Sequence, residues 1–172
     1  MVNSADVYLG NPLLKKANVQ QEFTQEQILE FVACKHDPVY FAKQHVKIVS
    51  LDEGLVNFKP YHFQEELIKR FHENRFNICK MPRQTGKSTT SVSYLLHYAV
   101  FNDNVNIGIL ANKAATARDL LGRLQTAYEN LPKWMQQGII SWNKGSLELE
   151  NGSKILAAST SASAVRGMSF NI

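Results

Sequence analysis

The run Met81-Pro82-Arg83-Gln84-Thr85-Gly86-Lys87-Ser88-Thr89 gathers the residue types that hold phosphate oxygens. Gly86 lets a backbone approach a ligand closely. Lys87 can place its ammonium on β- and γ-phosphate oxygens, and the Ser88 hydroxyl is the oxygen ligand that Mg²⁺ takes from such a loop. Backbone N–H groups where a loop opens a helix face an anion, with the helix dipole behind them. The run matches the phosphate-loop pattern at Gly86, Lys87 and Ser88, whereas Met81 stands where that pattern begins with glycine. A bare Gly-Lys-Ser is common. Its weight comes from its setting: an apolar run before it and a helical pattern after it.

Both are present. Phe76 to Met81 reads as a strand, and Ser88 to Phe101 as a helix with Val92, Leu95, Leu96 and Ala99 on one face. Val105 to Ala111 reads as a second, buried strand. Ala114 to Asn130 reads as a helix whose stripe is Ala117, Leu120, Leu121, Leu124 and Ala127. Strand, helix, strand, helix implies a parallel sheet. Ser146–Glu150 and Ser153–Ala158 flank Asn151-Gly152, the pattern of a β-hairpin decorating that core. Upstream, Thr24 and Gln27 form a capping-box pattern for a helix to about Cys34, and Asp37-Pro38 opens another to about His45. Ile48 to Lys59 reads as loop with short extended pieces. His62 to Asn74 reads as a helix carrying Glu65, Glu66, Lys69 and Arg70 on its wet side.

The chain has 172 residues, 44% of them hydrophobic and 20% charged, the profile of a globular domain. A net charge of +4, spread along the chain, permits a nucleic-acid partner without arguing for one. The two cysteines, Cys34 and Cys79, lack metal-like spacing and read as small core residues in a reducing compartment. No stretch is long and apolar enough to span a bilayer, and no signal pattern opens the chain, so no membrane is expected.

The loop read as Arg-Gln-Thr-Gly-Lys-Ser resembles the variant phosphate loop of large terminase subunits, the ATP-driven DNA-packaging motors of tailed phages. Asn106-Ile107-Gly108-Ile109-Leu110-Ala111-Asn112-Lys113 is similar to that family's second strand. Leu131-Pro132, Gly138-Ile139, Trp142-Asn143-Lys144-Gly145-Ser146, Glu150-Asn151-Gly152-Ser153, Ala164-Val165-Arg166-Gly167 and Ser169-Phe170 follow in the family's order. The resemblance runs from about Phe58 to the end and is nearest the T-even-like myovirus branch. It implies an α/β fold: a P-loop NTPase of the helicase-like, RecA-like kind. Its parallel sheet would be incomplete, with N-terminal helices and a β-hairpin insertion.

By that resemblance ATP and Mg²⁺ are the cofactors, held by Gln64, Arg83, Gln84, Thr85, Gly86, Lys87, Ser88 and Thr89, with Ser88 on the metal. Arg83 and Lys87 would be the catalytic residues. Gln64 matches the glutamine that reads adenine, for which a carboxamide has the needed donor and acceptor; the other reading is a solvated surface glutamine. Arg83 matches a loop arginine that stabilises γ-phosphate charge in cis; the other reading is a salt bridge on the loop. Arg166 is a further candidate to approach the nucleotide or to couple it to DNA. Lys113 and Thr116 would meet phosphate or cap a helix, the cap being the simpler reading. Implied partners are double-stranded viral DNA, the portal protein and the small terminase subunit, in the host cytoplasm and transiently at the procapsid portal.

The expected organisation is a flexible segment at 1–22, a helical subdomain at 23–59, and a partial ATPase core at 60–172. The core is read as ending before the Asp-Glu strand that supports Mg²⁺ and activates water. The C-terminal ATPase half and the nuclease domain lie outside it. Three functions compete: the ATP-binding portion of a terminase large subunit, another helicase-like ATPase, and a nucleotide-binding fragment without catalysis. As written, the sequence is expected neither to turn over ATP by itself nor to nick DNA. Its predicted strands are expected to lack neighbours in the sheet.

Overall fold

The computed structural model describes residues 6–50, 52–160 and 167–172. In chain order the elements are β1 (Val7–Tyr8), β2 (Asn11–Lys15), α1 (Gln25–His36), α2 (Pro38–His45), β3 (Lys47–Ser50), β4 (Gly54–Asn57) and α3 (His62–Glu73). They continue with α4 (Lys87–Phe101), β5 (Asn106–Ala111), α5 (Ala114–Glu129), β6 (Ile139–Trp142), β7 (Ser146–Leu149) and β8 (Lys154–Ser159). β1–β2 and β3–β4 are separate antiparallel hairpins. The main sheet has the order β5-β8-β7-β6.

Local signals set the helices. Thr24 Oγ1 accepts from Gln27 N–H at 3.2 Å while Gln27 Oε1 accepts from Thr24 N–H at 3.1 Å, closing the capping box of α1. Asp37 ends α1 and starts α2. Its N–H donates to the Ala33 carbonyl at 3.0 Å, and its carboxylate accepts from Val39 and Tyr40 N–H at 2.8 and 2.9 Å. Pro38 then occupies the first turn of α2, where its missing N–H costs nothing.

On α5 the expected stripe is buried at Ala117, Leu121, Leu124 and Ala127, Leu120 is half-buried, and Tyr128 is buried as well. It packs on β5, β8 and α4, and α4 in turn meets α2 and α3. α4 is therefore buried beyond one face, with Ser93, Tyr94, His97 and Val100 covered as well as Val92, Leu96 and Ala99. On α3 the expected charges split: Glu65 pairs with Lys43 of α2 at 2.8 Å, and Glu66 with Lys69 at 3.8 Å.

The structure departs from the sequence reading at several places. Phe76 to Met81 forms no strand: Phe76 and Ile78 are exposed, and no ladder hydrogen bonds join the run to a neighbour among the described residues. Strand conformation needs a partner, and apolar content alone does not supply one. β5, by contrast, is flanked on both sides, against the expectation that it would lack neighbours. β8 pairs with it in parallel from Asn106↔Lys154 to Ala111↔Ser159. On its other edge Gly108 N–H donates to the Ile172 carbonyl and Asn171 N–H to the Asn106 carbonyl, each at 2.8 Å. Gly108 has no side chain because the Phe170 ring lies against it; a Cβ there would come within 3.1 Å of the ring.

The hairpin expected to decorate the core is thus part of it. β7 and β6 extend the sheet antiparallel, so the sheet is mixed and not parallel throughout. The Asn-Gly turn has a second task. Asn151 Nδ2 donates to the Ala99 and Asn102 carbonyls at 2.9 and 3.0 Å, and Ser153 Oγ to Asn102 at 2.7 Å, which satisfies the last turn of α4.

Residues 1–22 are expected to be flexible; Asp6 to Asn18 are instead docked. Leu14 is buried in the core. Gln136, itself buried, accepts from Lys15 N–H at 3.1 Å and donates to the Leu13 carbonyl at 3.0 Å. Glu150 accepts from Asn18 N–H at 2.9 Å and from Gly138 N–H at 2.6 Å. Polar partners far along the chain hold a segment whose composition suggested solvent. Of the cysteines, Cys34 is buried as expected, but Cys79 is exposed, because the run it belongs to joins no sheet. Among the described residues no helix is long and apolar enough to cross a membrane.

Candidate functional site

The loop from Pro82 to Gly86 turns the chain into α4 through two left-handed residues, Gln84 at φ 62° and Gly86 at φ 72°. Gly86 suits that conformation. Gln84 pays a steric penalty of about 1–2 kcal/mol, of the kind found where a loop is shaped for a ligand. Thr85 Oγ1 donates to the Pro82 carbonyl at 3.1 Å, and Lys87 Nζ donates to the same oxygen at 2.9 Å. The Lys87 ammonium is thereby folded over its own loop, where an anionic oxygen would compete with a neutral carbonyl for it.

The hydrogen-bond ladder of α4 begins with Thr90 N–H on the Gly86 carbonyl at 2.9 Å. The N–H groups of Lys87, Ser88 and Thr89 consequently have no acceptor inside the helix. With the positive helix end, they are donors that an anion could take. α4 has no acidic residue in its first turn to neutralise that end.

Gln64 sits behind the loop. It is buried, its Oε1 accepts from Tyr61 N–H at 2.9 Å, and its Nε2 donates to the Thr85 carbonyl at 3.3 Å. A Cβ on Gly86 would overlap that carboxamide nitrogen. Gln64 is therefore not a solvated surface residue: it braces α3 against the loop. One amide N–H and one oxygen lone pair remain unspent by these contacts.

A cleft of about 970 Å³ opens beside the loop, lined by the β3–β4 hairpin, Lys59, Tyr61, Phe63, Gln64, Gln84, Thr85, Gly86 and Thr89. Tyr61 and Phe63 are exposed and stack with centroids 5.8 Å apart and planes 9° from parallel. Sequence reasoning missed this pair. The signal was present, two aromatic residues in the three positions before Gln64, but their exposure was not legible. Lys87 and Ser88 line a separate cavity of about 220 Å³ with Cys79, Ile109 and Leu120. The loop thus divides the expected residues: Gln64, Gln84, Thr85, Gly86 and Thr89 face the larger space, Lys87 and Ser88 the smaller.

Arg83 is exposed and forms no ion pair among the described residues, so the salt-bridge alternative is not what the loop adopts. Lys113 stands at the N-cap of α5 without a side-chain cap hydrogen bond, and Thr116 N–H donates to its carbonyl at 3.0 Å. Arg166 and the segment Ala164-Val165-Arg166 lie outside the described residues.

Residues 78–172 match the family described as terminase large subunit, T4likevirus-type, N-terminal. The chain belongs to that family. The structure of the large terminase from HK97 bacteriophage is also similar, with a TM-score of 0.65 at 17% sequence identity, over 79% of this chain and 29% of that one. At that identity the likeness is one of fold: a mixed α/β architecture of the large-terminase kind. This terminase chain spans under a third of the length of that relative.

Proposed function

We propose that this chain is the ATP-binding portion of a large terminase subunit of the T-even-like branch, part of a motor that moves viral DNA into a procapsid. The observation that carries the reading is the turn at Gln84–Gly86. It leaves the N–H groups of Lys87, Ser88 and Thr89 without helix acceptors, and the Lys87 ammonium rests on the Pro82 carbonyl of the same loop.

In this reading the triphosphate sits on the α4 N-terminus and Lys87 exchanges the Pro82 carbonyl for β- and γ-phosphate oxygens. The Ser88 hydroxyl holds Mg²⁺, whose charge neutralises the phosphates when bound. Arg83, which forms no ion pair among the described residues, is available to the γ-phosphate. The base enters the cleft, where Tyr61 and Phe63 offer an aromatic face and the remaining donor and acceptor of Gln64 suit an adenine edge. Double-stranded viral DNA, the portal protein and the small terminase subunit are the proposed partners, and host cytoplasm the proposed site of action.

Calorimetry with Mg-ATP tests this. Lys87→Ala removes a charge-assisted contact of about 1.5–3 kcal/mol, so affinity should fall by roughly 10–150-fold. Equal affinity for both chains would show that the loop does not hold the phosphates.

A further inference from the structure

Glu30 and Cys34 lie one turn apart on α1, and His45 closes α2. Their side chains converge. Glu30 Oε1 is 2.7 Å from His45 Nε2 and 3.6 Å from Cys34 Sγ, and one donor atom from each of the residues lies within 4.8 Å of the others. Cys34 is buried, while Glu30 and His45 keep some contact with solvent. The Tyr40 hydroxyl donates to Glu30 Oε2 at 3.0 Å, and the rings of Phe41 and Trp134 each stand 6.2 Å from the imidazole. The cluster lies outside residues 78–172 and shares no residue with the phosphate loop or the cleft beside it.

We propose that Glu30 Oε1, Cys34 Sγ and His45 Nε2 bind a zinc ion, with the fourth coordination position facing solvent. Thiolate, imidazole and carboxylate are the donors zinc takes, and the thiolate selects against Mg²⁺ and Ca²⁺. Tetrahedral bonds of about 2.3 Å to sulfur and 2.0 Å to oxygen place S and O about 3.5 Å apart. The observed Cys34–Glu30 separation of 3.6 Å already fits. The same geometry sets nitrogen and oxygen about 3.3 Å apart. The Glu30–His45 contact must therefore open from 2.7 Å, a small rotation of a side chain at the end of α2. Tyr40 supplies the outer hydrogen bond that orients a ligating carboxylate, and the aromatic walls limit water. A plain Glu30–His45 ion pair would account for two of these groups. The Cys34 thiol donates to that same carboxylate oxygen at 3.6 Å, so all three donor groups stand together before an ion arrives. The ion would clip the end of α2 to α1 and so act on the fold of the helical N-terminal part, not on phosphate chemistry.

The test uses the chain carrying Cys79→Ser, in which Cys34 is the sole thiol, titrated with Co²⁺ in place of zinc. A thiolate-to-cobalt charge-transfer band that saturates at one ion per chain and is bleached by Zn²⁺ is expected. Zinc should raise the melting temperature of this chain but not that of Cys34→Ser, and Tyr40→Phe should weaken zinc binding roughly 10–100-fold. Absence of the charge-transfer band would overturn the proposal, as would zinc binding of equal affinity to Cys34→Ser. If Cys34→Ser does not fold, the cobalt spectrum decides alone, since the band requires the thiolate ligand.

Discussion

Substituting Gly86 by alanine tests whether the loop is shaped by its own backbone or by the residue behind it. Gly86 has φ 72°, where an L-residue costs about 1–2 kcal/mol. The added methyl also overlaps the Gln64 carboxamide, which must leave its place. Leaving breaks the bonds to Tyr61 N–H and the Thr85 carbonyl, each contributing about 0.5–1.5 kcal/mol. Gly86→Ala should therefore destabilise the fold by about 2–5 kcal/mol. Gln64→Ala alone loses the same bonds, about 1–3 kcal/mol, and it also makes room for the methyl. In that background Gly86→Ala should cost only the backbone term, about 1–2 kcal/mol. The double-mutant cycle should then show a coupling of about 1–3 kcal/mol, well outside the margin of additivity. Urea denaturation of the parent, both single variants and the double variant, followed by circular dichroism, measures every corner. Additive costs within about 0.5 kcal/mol would refute the bracing role of Gln64. So would a Gly86→Ala chain as stable as the parent.

His97 should make the fold acid-sensitive. Burial between α1 and α4 holds its pKa down at about 4, with His72 nearby adding to the effect and the Cys34 carbonyl and Asp37 opposing it. Its Nε2 meets the Cys34 carbonyl at 2.9 Å, and its Nδ1 has no hydrogen-bond partner among the described residues. Because the folded value lies below the unfolded one of about 6.5, the unfolded chain binds the proton first. Stability is complete above about pH 6.5 and declines as pH falls toward 4, by about 2 kcal/mol at pH 5. Urea midpoints at pH 7 and pH 5 should differ for the parent and much less for His97→Leu; an equal drop in both would contradict this. Leu14→Ala should cost about 2–5 kcal/mol if the N-terminal hairpin belongs to the core. A thermal melt shifted by no more than a surface substitution would instead describe a loose tail.

What the sequence by itself determined is what nearest neighbours along the chain decide. The Thr24 capping box, the Asp37-Pro38 junction, the α5 stripe and the Asn151-Gly152 turn all rest on side chains a few positions apart, so pattern alone located them. The run Arg83–Ser88 could be read as a phosphate-loop candidate for the same reason, since its residues lie within one short stretch. Tertiary structure decided whatever needs a partner from elsewhere. Phe76–Met81 has strand composition but no ladder. β8 is a neighbour of β5 because of a pairing across intervening elements. Leu14 enters the core because Gln136 and Glu150, far along the chain, satisfy the backbone around it. Gln64 was read from the sequence as a candidate for an adenine edge, but its place behind Gly86 depends on where α3 meets the loop. Glu30 and Cys34 lie one turn apart on α1, but only the packing of α2 against α1 brings the His45 donor to them. Hydrogen bonds and metal ligation reach only a few ångströms, so contacts between distant parts of the chain remain invisible until the fold brings those parts together.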